Sequence, residues 1–309
     1  MTMTVSDRTR LTELESRIRA ILPEEYQDSY EAVEPVSMGS AGLKYRPDGR
    51  VAWDQIWGSF CDLAMAGGPP HKGTLLEPGR RPDIEQAPGR YEEVAEEICR
   101  GVRMAADLDA EPSPISGWVR VICSNAGMAG WLLRAIVMEN VAARSAGARL
   151  DVPAAPHFRL AKEIKNVVTV VAKTSHYWLG HMPRSQQRAI AELFIEMAEE
   201  SPLVEPARPD EASASKACDT TAAAIVENAR SLTGLRTSQR RYPGWLGLEC
   251  PSVRTAIWMM RALVASNVLS RREETVLFVP VNPVIDPGGH HVAGALATVH
   301  RLAAAKTML

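Results

Sequence analysis

The chain has 309 residues, of which 46% are hydrophobic and 23% are charged, a composition typical of soluble globular proteins. It excludes a disordered protein and a small disulfide-stapled domain. Because 35 Lys and Arg residues oppose 37 Asp and Glu residues, no overall positive field would hold the chain on nucleic acid or an acidic membrane. We therefore expect a small-molecule substrate as partner, with no nucleic acid and no membrane.

The N-terminus and the cysteines indicate the compartment. Asp7, Arg8 and Arg10 stand where a secretory signal would need an apolar run. The five cysteines are an odd number at wide spacings and include no C-x-x-C pair. The sequence therefore predicts a cytoplasmic protein with reduced thiols.

The first third of the chain has helical spacing interrupted by turns. Apolar residues three and four apart predict helices over residues 9–22, 51–65 and 91–104. A segment rich in Gly and Pro, residues 67–90, predicts a long irregular loop. We expect an N-terminal helical part, residues 1–111, that ends where two prolines break the chain.

The second part, residues 112–309, is expected to form an α/β domain. Trp118–Ile122 favours a strand, a glycine-containing turn follows, and residues 129–144 form an apolar helix before a second strand over 148–152. This order is that of the first half of a βαβ unit. Residues 157–181 fit a helix or a strand, and a helix followed by a strand is favoured.

The remaining patterns predict further elements, namely helices over 183–200, 212–232, 252–269 and 292–305 and a strand over 275–281. No internal repeat at a fixed period is expected. The predicted fold is a helix-rich α/β protein, with a small, mainly parallel sheet flanked by helices and an N-terminal helical part.

The turn from Cys123 to Gly130 is the first candidate binding site. Its last six residues contain two glycines of a G-x-G-x-x-G pattern, with Asn125 in place of the first glycine. A helix N-terminus beyond a strand attracts anions, so Ser124, Asn125, Gly127 and Gly130 are candidate contacts. Asp151 stands where a dinucleotide fold places its ribose-binding acid. The alternative is that small residues only allow close packing.

Two cysteines stand at predicted helix starts. A helix N-terminus lowers a thiol pKa, so Cys123 is a candidate nucleophile, and Cys250 could complete a two-thiol acid–base pair 127 residues away. No strong strand is expected before Cys250. The alternative is structural packing, since free cysteines are usually buried.

His71 and Lys72 follow two glycines and two prolines. The segment is not a phosphate-binding P-loop, because the spacing differs and the prolines remove backbone donors. His71 is a candidate acid or base and Lys72 a candidate anion contact. The alternative is a solvated basic loop.

Four histidines form two further candidate clusters. On a continuous helix, His176 and His181 would lie about 140° apart around the axis, which makes a poor metal-chelating pair. In a loop beyond a strand, both could face one pocket. With His290, His291 and nearby Asp286 they could build a metal or tetrapyrrole site, although no diagnostic spacing is present. His176 is also a candidate acid or base.

These observations lead to three functional hypotheses. The first is a cytosolic enzyme acting on a small anionic metabolite bound at residues 123–130, with no particular cofactor indicated. The second is a metal- or tetrapyrrole-binding protein that uses the histidines. The third is a non-catalytic assembly subunit in which Trp- and Met-rich helices form an exposed apolar patch, so that the protein is a homo-oligomer or depends on a partner chain. By ordinary packing, the residues of those helices belong in the core or a pocket wall: Trp131, Trp245, Trp258, Met259 and Met260.

Overall fold

A computed structural model describes residues 5–28, 43–56, 73–212 and 215–306. The chain divides into two compact units. The central unit comprises residues 33–191, and the split unit comprises residues 1–32 together with residues 192–309. The predicted boundary between residues 111 and 112 differs from this division and stays a prediction.

The first two described helices, α1 (Val5–Ile21) and α2 (Glu24–Gln27), belong to the split unit. The central unit then contains a 3₁₀ turn at Trp53–Gln55, α3 (Arg81–Gln86), α4 (Pro88–Ala106), β1 (Ala110–Pro112), β2 (Trp118–Ile122), α5 (Ala126–Met138), β3 (Arg144–Ala146), β4 (Arg149–Pro153) and α6 (Lys165–His176). Two π-helical segments, Leu160–Ile164 and Tyr177–His181, flank α6.

The split unit resumes within α7 (Arg184–Glu200). It continues with α8 (Pro209–Ala212), α9 (Lys216–Thr233), β5 (Arg236–Thr237), β6 (Trp245–Glu249), α10 (Val253–Val264), β7 (Arg271–Glu273), β8 (Val276–Pro280), a 3₁₀ turn at Pro287–Gly289 and α11 (His290–Ala305).

The sheets correct the predicted topology. The described residues form two four-stranded sheets, ordered β1-β2-β4-β3 and β5-β6-β8-β7, and every pairing within them is antiparallel. After α5, the chain forms the β3–β4 hairpin, and β4 returns beside β2 in the opposite direction. The expected mainly parallel sheet and βαβ unit are therefore wrong, while the helix-rich mixture of helices and strands is confirmed.

Residues 160–181 are helical throughout, so the strand predicted in this segment is wrong. The β-branched residues that favoured a strand, Val167, Val168, Val170 and Val171, are all fully buried. Because they are buried on several sides of the helix, the helical face is hard to recognise from their spacing.

The Gly/Pro-rich segment is only partly within the described residues, and its described part is not a continuous loop. Leu76 forms a parallel bridge with Val141. Arg81–Gln86 forms α3, with Pro82 in its first turn, where proline is compatible with a helix. Most of the helix predicted over 51–65 lies outside the described residues.

The expectation that the chain has no internal repeat is also wrong. Each unit contains the order helix, two strands, helix, two strands, helix, and the two sheets have matching strand orders. Residues 117–153 correspond without a gap to residues 244–280, at a constant separation of 127 residues. Identical residues in this alignment include Gly117/Gly244, Trp118/Trp245, Cys123/Cys250, Trp131/Trp258, Arg134/Arg261, Asn140/Asn267, Arg144/Arg271 and Pro153/Pro280.

Identical residues adopt the same backbone conformation or make the same contact in both units. Gly117 and Gly244 have φ values of 88° and 73°, which glycine adopts without strain. A Cβ at either position would also lie within 2.7 Å of a backbone oxygen. Arg144 packs over the Trp118 ring, and Arg271 packs over the Trp245 ring. The two units therefore share one scaffold.

The tryptophans and methionines singled out in the sequence are core residues. Trp131, Trp245, Trp258, Met259 and Met260 are all at most 8% exposed. They do not form the exposed apolar patch that the assembly-subunit hypothesis requires. Within the described residues, no helix has both the length and the apolar character needed to cross a membrane.

Candidate functional site

The turn predicted as an anion site is a capped helix start packed against a neighbouring helix. The Oδ1 atom of Asn125 accepts a hydrogen bond from the Met128 amide at 2.9 Å, so this side chain acts as the N-cap of α5. A Cβ at Gly127 would lie 2.7 Å from the Cβ of Ala191 on α7. Gly127 therefore allows close packing of α5 against α7, which is the alternative to an anion-binding role for this glycine. Ser124 and Asn125 are exposed.

The antiparallel sheet also removes the argument for a dinucleotide site. Such a site lies beyond the carboxyl ends of parallel strands, and neither sheet of the described residues contains a parallel pair. Asp151, the candidate ribose-binding acid, instead makes a bidentate ion pair with Arg120 on the neighbouring strand, at 2.9 and 3.2 Å. Gly130 uses its carbonyl to accept a hydrogen bond from Arg134.

The candidate nucleophile Cys123 is buried in the core. The residue is 4% exposed, and burial raises the pKa of its thiol to about 12. Burial likewise raises the pKa of Cys250 to about 12, and β6 immediately precedes this residue, contrary to expectation. These shifts are opposite to the direction that activates a thiol, so neither cysteine enters the proposed function.

The structure describes some of the remaining predicted residues and not others. His71 and Lys72 lie outside the described residues, and their predicted roles stay predictions. Of the four predicted metal ligands, His176 and His181 belong to the central unit, and His290 and His291 belong to the split unit. In the described part of the chain, no three His, Cys, Asp or Glu side chains are grouped so as to hold a metal ion.

His176 and His181 do form a pair, against the geometry expected from the sequence. Their Nε2 atoms are 3.1 Å apart and their ring centroids 4.9 Å apart. The five residues Tyr177–His181 are π-helical. A π-helix brings residues i and i+5 to the same face, whereas an α-helix would separate them.

His291 lies at the start of α11 and faces a cavity in the split unit. Both carboxylate oxygens of buried Asp286 accept backbone hydrogen bonds, from His291 and Val292, at 3.0 Å each. This cap fixes the first turn of the helix. The Nε2 atom of His291 lies 3.4 Å from the Oγ atom of Ser201.

The cavity has a volume of about 280 Å³ and is lined by α1, α7, the end of α10 and α11. Arg17 and Glu200 form one wall and pair with each other through both carboxylate oxygens. This pairing raises the pKa of Arg17 and lowers the pKa of Glu200. The cavity thus combines a cation, a carboxylate, a hydroxyl and an imidazole.

Asn267 holds the backbone of Ser201, which lines the cavity together with two other hydroxyl-bearing residues, Ser266 and Thr298. It adopts a φ of 57°, and its Nδ2 atom donates to the Ser201 carbonyl at 2.8 Å. In the central unit, Asn140 has a φ of 61° and donates in the same way to the carbonyl of Gly73 at 3.3 Å. This hydrogen bond from asparagine is common to both repeats. The residue that accepts it is Ser201 in the split unit and Gly73, which has no side chain, in the central unit.

Sequence reasoning missed Arg17, Glu200 and Ser201 as site residues. Each belongs to an ordinary helix or helix end in the sequence, and no motif connects them. Their proximity depends on packing between α1 and the end of α7. The signal that the sequence does offer is the short spacing between Asp286 and His291, which predicts one cluster.

No family model, no curated protein and no solved structure matches this chain.

Proposed function

We propose that the protein is an enzyme that acts on a small anionic metabolite, bound in the split-unit cavity, with His291 as the acid–base group. The observation that carries the proposal is the contact between His291 and Ser201 inside a cavity that also contains Arg17. An imidazole beside a hydroxyl is a common arrangement for proton transfer. A separation of 3.4 Å is long for a hydrogen bond, but such contacts often shorten when substrate binds.

The size and charge of the cavity favour a small anion. A volume of about 280 Å³ is close to the lower end of the range for ligand pockets, roughly 300–1,000 Å³. Arg17 is the cation of the cavity wall, and a ligand carboxylate or phosphate could take the place of Glu200 as its partner. Glu200 is exposed enough to move aside, since 55% of its side chain is accessible to solvent.

The internal repeat supports the choice of this cavity. Residues that both repeats share, such as Asn140 and Asn267, hold the same backbone turns and belong to the scaffold. A specialised site is expected where the repeats differ. Ser201 replaces the side-chain-free Gly73 at such a position.

The test uses two variants with opposite expected effects. Binding of inorganic phosphate, malonate and succinate is measured by isothermal titration calorimetry. We expect Arg17→Gln to remove binding of the probe that the wild type binds best. We expect Glu200→Gln to tighten it about fivefold, or ~1 kcal/mol, because the competing carboxylate is gone. If both variants change affinity in the same direction, Arg17 is not the anion contact.

A further variant tests whether the anion binds in the cavity or at the turn formed by residues 123–130. Asn125→Asp retains a capping oxygen but adds a negative charge at the turn. Binding in the cavity should be unchanged in this variant, while an anion held at the turn would be repelled.

His291→Gln should retain binding of the anionic probe and lose activity on any substrate found. Retained activity in His291→Gln would contradict the acid–base role.

A further inference from the structure

We infer that His176 and His181 form a two-histidine chelating site for a divalent transition-metal ion, separate from the proposed anion cavity. Both residues lie in the central unit, where His176 is the last residue of α6 and His181 is the last residue of the π-helical turn that follows. Imidazole nitrogens are preferred ligands of Zn²⁺, Cu²⁺ and Ni²⁺. The site would leave the other coordination positions of the metal open to water or to a ligand.

The distance between the two nitrogen atoms carries the inference. Two nitrogen ligands on one metal ion, each about 2.0–2.1 Å from it, are about 2.8–3.4 Å apart in neighbouring octahedral or in tetrahedral positions. The Nε2 atoms of His176 and His181 are 3.1 Å apart. Chelation requires both Nε2 atoms to be unprotonated, so the ring that donates in this arrangement would carry its proton on Nδ1.

The backbone gives a second, independent reason. A π-helical turn has poorer hydrogen-bond geometry than an α-helix and occurs often at functional sites. The turn at Tyr177–His181 is what places residues five apart on one face. An α-helical turn would separate the two imidazoles, so the chelating distance depends on this local departure from α-helix.

The site is accessible from solvent. His176 and His181 are both partly exposed, and Leu179 and Gly180 between them are exposed, with Leu179 at 52%. The ring of Tyr177 lies 5.3 Å from that of His181 and forms one side of the site. A metal ion can therefore reach the imidazoles without opening the core.

The experiment measures Cu²⁺ binding to the full chain without a polyhistidine tag, by competition with a chromophoric chelator and by electron paramagnetic resonance. We expect one equivalent with hyperfine coupling to two imidazole nitrogens. His176→Ala and His181→Ala should each lower the affinity about 100-fold, because chelation is lost. His157→Ala, which removes an exposed histidine of the same unit, is the matched control and should not change the affinity.

A chemical measurement on the wild type avoids any dependence on the folding of the variants. Diethyl pyrocarbonate modifies accessible imidazoles, and Zn²⁺ should slow its reaction at His176 and His181 at least tenfold without protecting His157. Failure of the wild type to bind Cu²⁺, a signal from a single nitrogen, or unchanged affinity in His176→Ala and His181→Ala would each overturn the proposal. Equal protection of all three histidines by Zn²⁺ would do the same.

Discussion

Cys123 and Cys250 occupy matching positions in the two repeats, and burial gives them the same chemistry. In each case the backbone amide of the cysteine donates to a carbonyl of the following hairpin, at Ala148 and Thr275 respectively. Both side chains are buried in the core. The position in the sequence suggested an activated thiol, but the cost of placing a thiolate in the core outweighs the helix dipole.

The raised thiol pKa values predict a loss of stability at alkaline pH. An unfolded cysteine ionises near its ordinary pKa of 9.0, whereas the folded thiols ionise near 12. Between these values the unfolded state releases protons that the folded state retains, so stability falls as pH rises above 9. Each thiol should contribute up to ~1.4 kcal/mol per pH unit in this window.

The measurement is urea unfolding at pH 8, 9 and 10, for the wild type and for a double variant, Cys123→Ala with Cys250→Ala. We expect a steeper loss of stability with pH in the wild type. If the free energy of unfolding falls equally steeply with pH in both proteins, the pH dependence comes from groups other than these two thiols. Slow alkylation of Cys123 by iodoacetamide at neutral pH in the folded protein is a second expected result.

Helices α5 and α10 begin with corresponding caps. Asn125 accepts from the Met128 amide at 2.9 Å, and Ser252 accepts from the Thr255 amide at 3.0 Å. We expect Asn125→Ala and Ser252→Ala each to lower the free energy of unfolding by ~1 kcal/mol. Asn125→Asp should be close to neutral, because aspartate caps equally well. Urea unfolding checks all three variants, and Asn125→Asp as damaging as Asn125→Ala would refute the capping role.

Long helices with one apolar face and some five-residue strands could be predicted from the sequence, whereas β6 and the shortest strands could not. Apolar spacing correctly indicated α1, α4, α7, α9 and α11, and β-branched residues indicated β2 and β8. The strands β1, β3, β5 and β7 have two or three residues, too few to show alternation. Without β3 and β7, the hairpins that make the sheets antiparallel could not be recognised.

The candidate site was predictable only where neighbours in the sequence are also neighbours in space. Asp286 and His291 are close in both, and the sequence analysis grouped them. The pairing of Arg17 with Glu200 depends on helix packing across most of the chain length. The pairing of His176 with His181 depends on a π-helical turn, which no residue pattern marked.

The internal repeat explains why the two units share a set of identical residues at corresponding positions. The identical positions are mostly buried or turn-forming and scattered among variable ones, so a search for a short repeat period misses them. Once the sheets are compared, each identical residue has a matching place. Duplication of one scaffold is the simplest account of this correspondence.

The division into units makes a prediction about which fragments fold. Residues 33–191 contain a complete sheet with its three main helices, so we expect this fragment to unfold cooperatively in urea with helical circular dichroism. A fragment of residues 112–309 follows the boundary predicted from sequence. It lacks α4 and most of β1, which would leave one edge of β2 and the buried face of α6 uncovered.

We therefore expect the fragment 112–309 to aggregate or to show a broad transition, because an unpaired strand and an uncovered apolar helix face promote association. The comparison is made at equal concentration by circular dichroism and analytical ultracentrifugation. A monomeric, cooperative fragment 112–309 beside an unfolded fragment 33–191 would restore the boundary near residue 111. The reverse result would show that the repeat is the folding unit of this chain.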